Sequence, residues 1–284
     1  MNKGQFLEEV INSEYCPKDF NAMYRDFANY QTAALETLRE FHRVCEKNGV
    51  TYELAYGSLL GAIRDNGQIP WDYDVDVFVP YDEKAKLLVA LDNDLDENYY
   101  YYCPEVNKKC RHVIMRLAPR KYNTETLHVD VFFLTGVPER VEERKAHEKK
   151  IINASRARYN KLVKIHDQSH GRITTTIKII LNKIPCIFRN EEEIQQEYER
   201  ICSLYPAKQS NILVSADTFA DWYEFESEII FDTTLVTTDC GVFRVPKQSD
   251  LLLKKLYGDY MQVPPLENRI KELLFHYNRL KSIT

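Results

Sequence analysis

The feature that most constrains the fold is the run Tyr56–Phe78, YGSLLGAIRDNGQIPWDYDVDVF, in which Asp72, Asp74 and Asp76 alternate with Tyr73, Val75 and Val77. A strand repeats its side-chain direction every two residues, at about 3.3 Å per residue. Asp74 and Asp76 are therefore expected on one face, about 7 Å apart. Val75, Val77 and Val79 would turn to the other face and into a core. No basic residue interrupts these acids. Carboxylates set side by side repel, and hard oxygen donors of this kind select Mg²⁺ or Mn²⁺. Upstream stands Gly57-Ser58. If a helix begins there, its first amides are free and its dipole favours an anion such as a phosphate. A D-x-D alone is weak evidence, because acidic strand ends and solvated turns are common. The ordered combination is stronger: apolar strand, Gly-Ser, amphipathic helix, Pro-Trp-Asp turn, then acids alternating with valines. It points to metal-assisted chemistry on a nucleotide-activated substrate. Asp72 precedes the strand and stays open as a ligand, an outer partner or a turn acid.

The remaining patterns give a coarse map. Phe20–Asn48 has apolar residues at helical spacing, among them Leu35, Leu38, Phe41 and Val44, and meets Gly49 where helices often stop. Val50–Ala55 reads as a strand, Ser58–Arg64 as a short helix stopped by Asn66-Gly67, and Asp74–Val79 as the acid-bearing strand. Asp82–Leu91 reads as a helix capped by Asp82. Tyr99–Cys103 and His112–Leu117 read as strands. Val129–Leu134 reads as a strand apolar enough to be buried on both faces. Asp130 is the only acid in that apolar stretch. A buried carboxylate is costly unless paired or metal-bound, so Asp130 is either a site residue or the partner of a cation such as Arg116.

Two further side chains invite a binding role. Arg64 ends the helix that follows Gly57-Ser58, where a guanidinium can grip a phosphate or pair with Asp65 or Asp72. Trp71 can stack on a base, box a quaternary ammonium, or anchor the turn. Arg111, Arg116 and Arg120 flank the strand before Asp130. The four consecutive tyrosines at 99–102 suggest an aromatic groove, or simply a half-buried strand.

The two long motifs resemble the signature of the LicD family, whose core is shared with fukutin and fukutin-related protein. GSLLGAIR at Gly57–Arg64 and IPWDYDVDV at Ile69–Val77 follow the family's first pattern. FRVPKQSDLLLKKLYGDYMQVPPLENR at Phe243–Arg269 follows its C-terminal pattern. The resemblance implies an α/β, nucleotidyltransferase-like core with a mixed sheet, plus helical N- and C-terminal elaborations. It implies one domain over 1–284, with a catalytic core at about 33–140, a helical, basic middle at about 141–220, and the C-terminal motif region at 221–284.

It also implies a metal-dependent transferase of phosphocholine from CDP-choline to a cell-surface glycan of teichoic acid, lipopolysaccharide or capsule type, with release of CMP. Transfer of phosphoethanolamine or an alditol phosphate from the matching CDP donor is the alternative; a non-catalytic module binding nucleotide or glycan is a third. In this reading Asp74, Asp76 and Asp130 are catalytic and hold Mg²⁺ or Mn²⁺, with Asp72 as a further candidate ligand. Gly57, Ser58, Arg64, Trp71 and Arg116 bind donor or nucleotide. Gly258 would end the helix from Ser249, and Asp259 would either close the site or cap a turn.

Composition sets the outer limits. The net charge of -5 argues against a general nucleic-acid binder. The N-terminal MNKGQFLEEV lacks the apolar core of a signal peptide, and no apolar stretch has spanning length. The seven cysteines are scattered and odd in number, as expected of thiols in a reducing compartment. A cytoplasmic location follows, with peripheral contact at the inner membrane face as a further expectation. That expectation rests on Arg144–Lys183, which holds eleven Lys or Arg against two acids. The same stretch can equally clamp an anionic glycan acceptor or form a solvated helix face.

Overall fold

The computed structural model describes residues 1–163 and 179–283. Its centre is a seven-stranded mixed sheet. Strand β1 (Glu53–Leu54) pairs antiparallel with β2 (Val75–Pro80), and β2 pairs parallel with the distant strand Val129–Gly136. In chain order the next strands are β3 (Tyr99–Tyr102), β4 (Met115–Pro119) and β5, the Val129–Gly136 strand just named. β4 runs antiparallel to both β3 and β5. β6 (Ile212–Ser215) takes the C-terminal half of the β5 edge, and β7 (Phe225–Glu226) adds to β6. β5 thus has a neighbour on each edge along most of its length. All of its residues except Asp130 are buried, which matches its nearly continuous apolar sequence. A separate hairpin joins β8 (Thr233–Thr238) to β9 (Gly241–Pro246).

Helices cover the sheet. Helix α1 (Lys3–Ile11) lies against the last helix, Leu266–Ile283. The long helix α2 (Phe20–Asn48) buries Phe27, Ala34, Leu38, Phe41 and Val44 against the sheet and ends at Gly49, as its periodicity predicts. Helix α3 (Tyr56–Arg64) crosses the start of β2. Its Gly61 is required by close approach: a Cβ there would stand 2.5 Å from the Gly67 carbonyl oxygen. Helix α4 (Lys84–Asp94) follows β2. Helix α5 (Val141–Leu162) packs on helix Glu191–Cys202.

Several boundaries differ from the sequence reading. Only Glu53–Leu54 of the expected strand Val50–Ala55 is in register with β2, and helix α3 starts at Tyr56 directly after Ala55. The acid-bearing strand begins at Val75, so Asp74 lies just outside it. The strand expected at His112–Leu117 begins at Met115, and the one expected at Tyr99–Cys103 ends at Tyr102. Asp82 does not cap a helix. It lies in a 3₁₀ turn, Tyr81–Glu83, and its carboxylate accepts the amides of Ala207 (3.1 Å) and Lys208 (2.9 Å). The 3₁₀ turn at Ala207–Gln209 thus receives the cap that α4 was expected to have. The basic stretch Arg144–Lys183 lies partly outside the described residues. Within them, Arg158 turns inward to the carbonyls of Cys110 (2.7 Å) and Lys108 (3.1 Å).

Candidate active site

The parallel register of β2 and β5 sets Asp76 directly beside Asp130. The antiparallel register of β4 sets Arg116 beside Asp130 on the other edge, and Tyr102 follows on β3. Four strands thus carry the row Asp76, Asp130, Arg116, Tyr102 across one face, since paired residues share a side of the sheet. Val75, Val77 and Val79 are buried on the opposite side, as the alternation predicts.

Helix α3 meets this row at its N-terminus. Ser58 Oγ accepts the Asp76 amide at 2.9 Å, which ties the Gly-Ser turn to the acid-bearing strand. Gly57 lies so close that a Cβ would come within 3.4 Å of Asp72 Oδ2. Tyr56, the first residue of the helix, has φ +42°. A non-glycine residue in that region stores strain, which clusters at functional sites. Its ring packs on Phe78 (4.9 Å) and Phe132 (5.4 Å). The turn before β2 is clamped from α2, where Gln31 Nε2 donates to the carbonyl of Asp72 (2.7 Å) and Tyr24 donates to that of Pro70 (2.8 Å). Asp72 Oδ1 accepts the Asp74 amide at 3.1 Å.

The electrostatics divide the acids. Burial raises Asp76 well above the usual carboxylate range, and Asp130, Asp74 and Asp72 push it further. Asp72 is raised to about 6 by burial and then by Asp74, against the opposing effect of His276. No basic side chain among the described residues has an ion pair with Asp76. Asp130 behaves differently. Burial alone would raise it, but His128 and Arg116 outweigh that and hold it below the usual range. Arg116 Nε donates to Asp130 Oδ1 at 3.0 Å, and His128 Nε2 lies 3.2 Å from Oδ2. The pairing with Arg116 weighed as the alternative role for Asp130 is therefore present, in the same residue that stands beside Asp76.

A cavity of about 520 Å³ opens beside Asp130, lined among others by Arg111, Arg116, Tyr159, Asp217, Phe219 and Trp222. Asp217 follows β6 and lies outside the sequence motifs. It is buried, and its carboxyl is raised to about 6 by burial, with Asp130 adding to the rise against the Phe219 amide and Ser215. His276, on helix Leu266–Ile283, also lies outside those motifs, and its ring faces Asp72. Neither residue sits in a local motif, so only the tertiary fold brings them to the acids.

Two sequence expectations need correction. Trp71 is 2 % exposed, with Phe6 at 5.3 Å and the guanidinium groups of Arg269 (5.4 Å) and Arg64 (5.7 Å) around its indole. It anchors the turn and has no free face for a base or an ammonium. Arg64 is bound by Nε (3.0 Å) and Nη2 (2.7 Å) to the two oxygens of Asp65, so its fork is spent on that pair instead of being open to a phosphate. Arg120 donates to the Glu97 carbonyl and lies over Tyr100, away from the row. Gly258 ends helix Ser249–Tyr257 as expected. Asp259 is exposed, whereas Tyr257 is within electrostatic reach of Asp76.

A mixed sheet with acids on neighbouring parallel strands and a Gly-Ser helix start beside them defines an α/β domain of the nucleotidyltransferase type. Residues 49–166 match the family model described as LicD/FKTN/FKRP, nucleotidyltransferase domain. That match covers the segment carrying the first of the two motif patterns, and agrees with the resemblance. The chain is 28% identical over 260 residues to the lipopolysaccharide cholinephosphotransferase LicD of Haemophilus influenzae, covering 84% of this chain and 92% of that protein. It is 56% identical over 45 residues to the ribitol 5-phosphate transferase FKRP of Homo sapiens, covering 16% of this chain and 9% of that protein. No helix among the described residues is long and apolar enough to cross a membrane.

Proposed function

We propose that the chain is a metal-dependent phosphotransferase that moves phosphocholine from CDP-choline to a hydroxyl of a cell-surface glycan and releases CMP. The observation that carries this reading is the registered pair Asp76 and Asp130, with the cavity leading away from Asp130. The extended similarity to a cholinephosphotransferase supports the choice of head group.

Asp74 and Asp76, with Asp72, would hold Mg²⁺ or Mn²⁺. The donor set fits such an ion, because Asp76 is a buried acid raised further by Asp130, Asp74 and Asp72, and no described cation pairs with it. A bound ion would polarise phosphoryl oxygens and offset the charge that develops on the CMP leaving group. The amides at Gly57 and Ser58, at the start of α3, would hold donor phosphate oxygens. Asp130, kept ionised by His128 and Arg116, is a poor proton acceptor and better suited to orienting charge at the reacting phosphorus. Asp217, with a pKa of about 6 and a place in the cavity wall, is better matched to take the proton of the acceptor hydroxyl. As that oxygen forms its bond to the phosphorus bearing choline, the bond to the CMP oxygen breaks and its electron pair leaves with CMP. The product is a phosphodiester.

An alditol phosphate as the transferred group is the second reading, favoured by the short segment of high identity to a ribitol 5-phosphate transferase. The acceptor would be a glycan or lipid-linked glycan at the inner membrane face, met in part by the basic stretch.

The test is CMP release by purified protein with Mg²⁺ and a panel of glycan acceptors, using CDP-choline, CDP-ethanolamine and CDP-ribitol in parallel. Release from CDP-choline, lost in Asp76→Ala, is the expected result. Release from CDP-ribitol alone would select the second reading, and full activity in Asp76→Ala would overturn the site.

A further inference from the structure

We propose that His276, with Asp72 and Asp74, holds a divalent cation in mixed nitrogen and oxygen coordination just before β2. The proposal rests on the reading that the acidic cluster takes a divalent ion, and it adds a ligand from the far end of the chain.

Three observations support it. One ligand atom from each of Asp72, Asp74 and His276 can be chosen so that all three lie within 4.8 Å of one another. Two donors at about 2.1 Å from an ion are at most about 4.2 Å apart, so side-chain shifts of less than about 1 Å bring the trio onto one ion. Second, His276 is 8 % exposed, and one of its two ring nitrogens has no hydrogen-bond partner. Nε2 faces Asp72 Oδ1 at 3.6 Å, beyond hydrogen-bond length, and Nδ1 is buried without a hydrogen-bond partner. Glu272, one turn earlier on the same helix, is no closer, at 3.9 Å. Third, the ring is held in place. Tyr73 meets it edge-on at 5.3 Å and Phe275 at 5.6 Å, while Gln31 fixes the Asp72 backbone from the other side. A buried imidazole held in orientation, facing Asp72 at slightly more than contact distance with Asp74 within 4.8 Å, is the arrangement that a shared cation would close.

The chemistry of the trio has two consequences. An imidazole nitrogen shifts preference away from Mg²⁺, which takes oxygen, toward Mn²⁺ and later first-row ions. An ion shared between the start of β2 and helix Leu266–Ile283 would also cross-link segments about two hundred residues apart in sequence.

Pulsed electron paramagnetic resonance on Mn²⁺ bound to the full, untagged chain tests the assignment. Imidazole coordination adds ¹⁴N modulation to the Mn²⁺ echo. Wild-type protein is expected to show it; His276→Gln is expected to lose it and to bind Mn²⁺ at least about tenfold more weakly. Should the Gln variant not fold, by circular dichroism, His276→Asn takes its place. Mn²⁺ binding without nitrogen modulation in the wild type, or modulation that survives in the variant, overturns the His276 site and leaves the acidic cluster as a metal site. Absence of Mn²⁺ binding at millimolar concentration overturns both.

Discussion

Replacing Asp76 by Asn is expected to stabilise the metal-free protein while destroying its chemistry. The register sets Asp76 and Asp130 side by side on neighbouring strands, which lie about 4.8 Å apart. Two carboxylates about 5.5 Å apart at an effective dielectric constant of about 20 repel by about 3 kcal/mol. Arg116 and His128 offset part of the Asp130 charge, and Asp74 and Asp72 add repulsion of their own. Whether that repulsion is borne in full or relieved by protonating Asp76, removing the acid should return about 1–3 kcal/mol to the metal-free protein near neutral pH. At about 2 °C per kcal/mol for a chain of this size, Tm should rise by about 2–6 °C. The Asp76 backbone amide keeps its bond to Ser58, so the substitution leaves the local geometry in place. Thermal unfolding followed by circular dichroism, in EDTA and then in millimolar Mg²⁺, reads both halves of the argument. The variant should melt higher than wild type in EDTA, gain less from Mg²⁺, and release CMP at least about 100-fold more slowly. A variant that melts lower in EDTA, or that keeps the full stabilisation by Mg²⁺, would refute the view that Asp76 is an uncompensated acid awaiting a cation.

Two further outcomes concern stability. Glu53 buries both carboxylate oxygens without a hydrogen-bond partner, and burial raises its pKa well above the ordinary value. The folded state therefore favours the neutral acid. Its contribution to stability is full below the ordinary carboxylate pKa of about 4.3 and is lost as pH rises toward the folded value. Glu53→Gln should match wild type near pH 4 and exceed it by about 1–3 kcal/mol at neutral pH; an advantage that shrinks with rising pH in urea titrations would contradict this. Gly61→Ala forces a Cβ to 2.5 Å from the Gly67 carbonyl, a backbone atom that cannot swing aside. A loss of about 1–3 kcal/mol in denaturant unfolding is expected, with weaker metal binding as α3 shifts from β2; an unchanged midpoint would show that the contact yields freely.

Much of the fold was legible because its signals are local. The heptad-like apolar spacing of α2, the valine alternation around Asp76 and the apolar run of β5 each state a period that one element satisfies by itself. Residue types with two possible partners were not resolvable in this way. Trp71 and Arg64 each read two ways, as ligand-facing or as an anchor and an ion-pair partner; Arg269 and Phe6, from distant segments, close over the indole, and Asp65 takes the guanidinium. Asp82 read as a helix cap because its neighbours were helical, whereas its acceptors were needed by amides at Ala207 and Lys208.

The sequence by itself determined the class of the protein: a strand bearing Asp76, a Gly-Ser helix start before it, and one acid in a second apolar strand. Those follow from side-chain period and from the cost of burying unpaired charge, which depend only on near neighbours. The tertiary structure decided which charges meet. The β2–β5 register placed Asp130 beside Asp76, β4 brought Arg116 to neutralise it, the end of β6 carried Asp217 into the cavity wall, and the last helix carried His276 to Asp72. Electrostatic character is a property of what surrounds a group within a few ångströms. In this chain most of those surroundings come from segments far apart in sequence, so no local pattern records them.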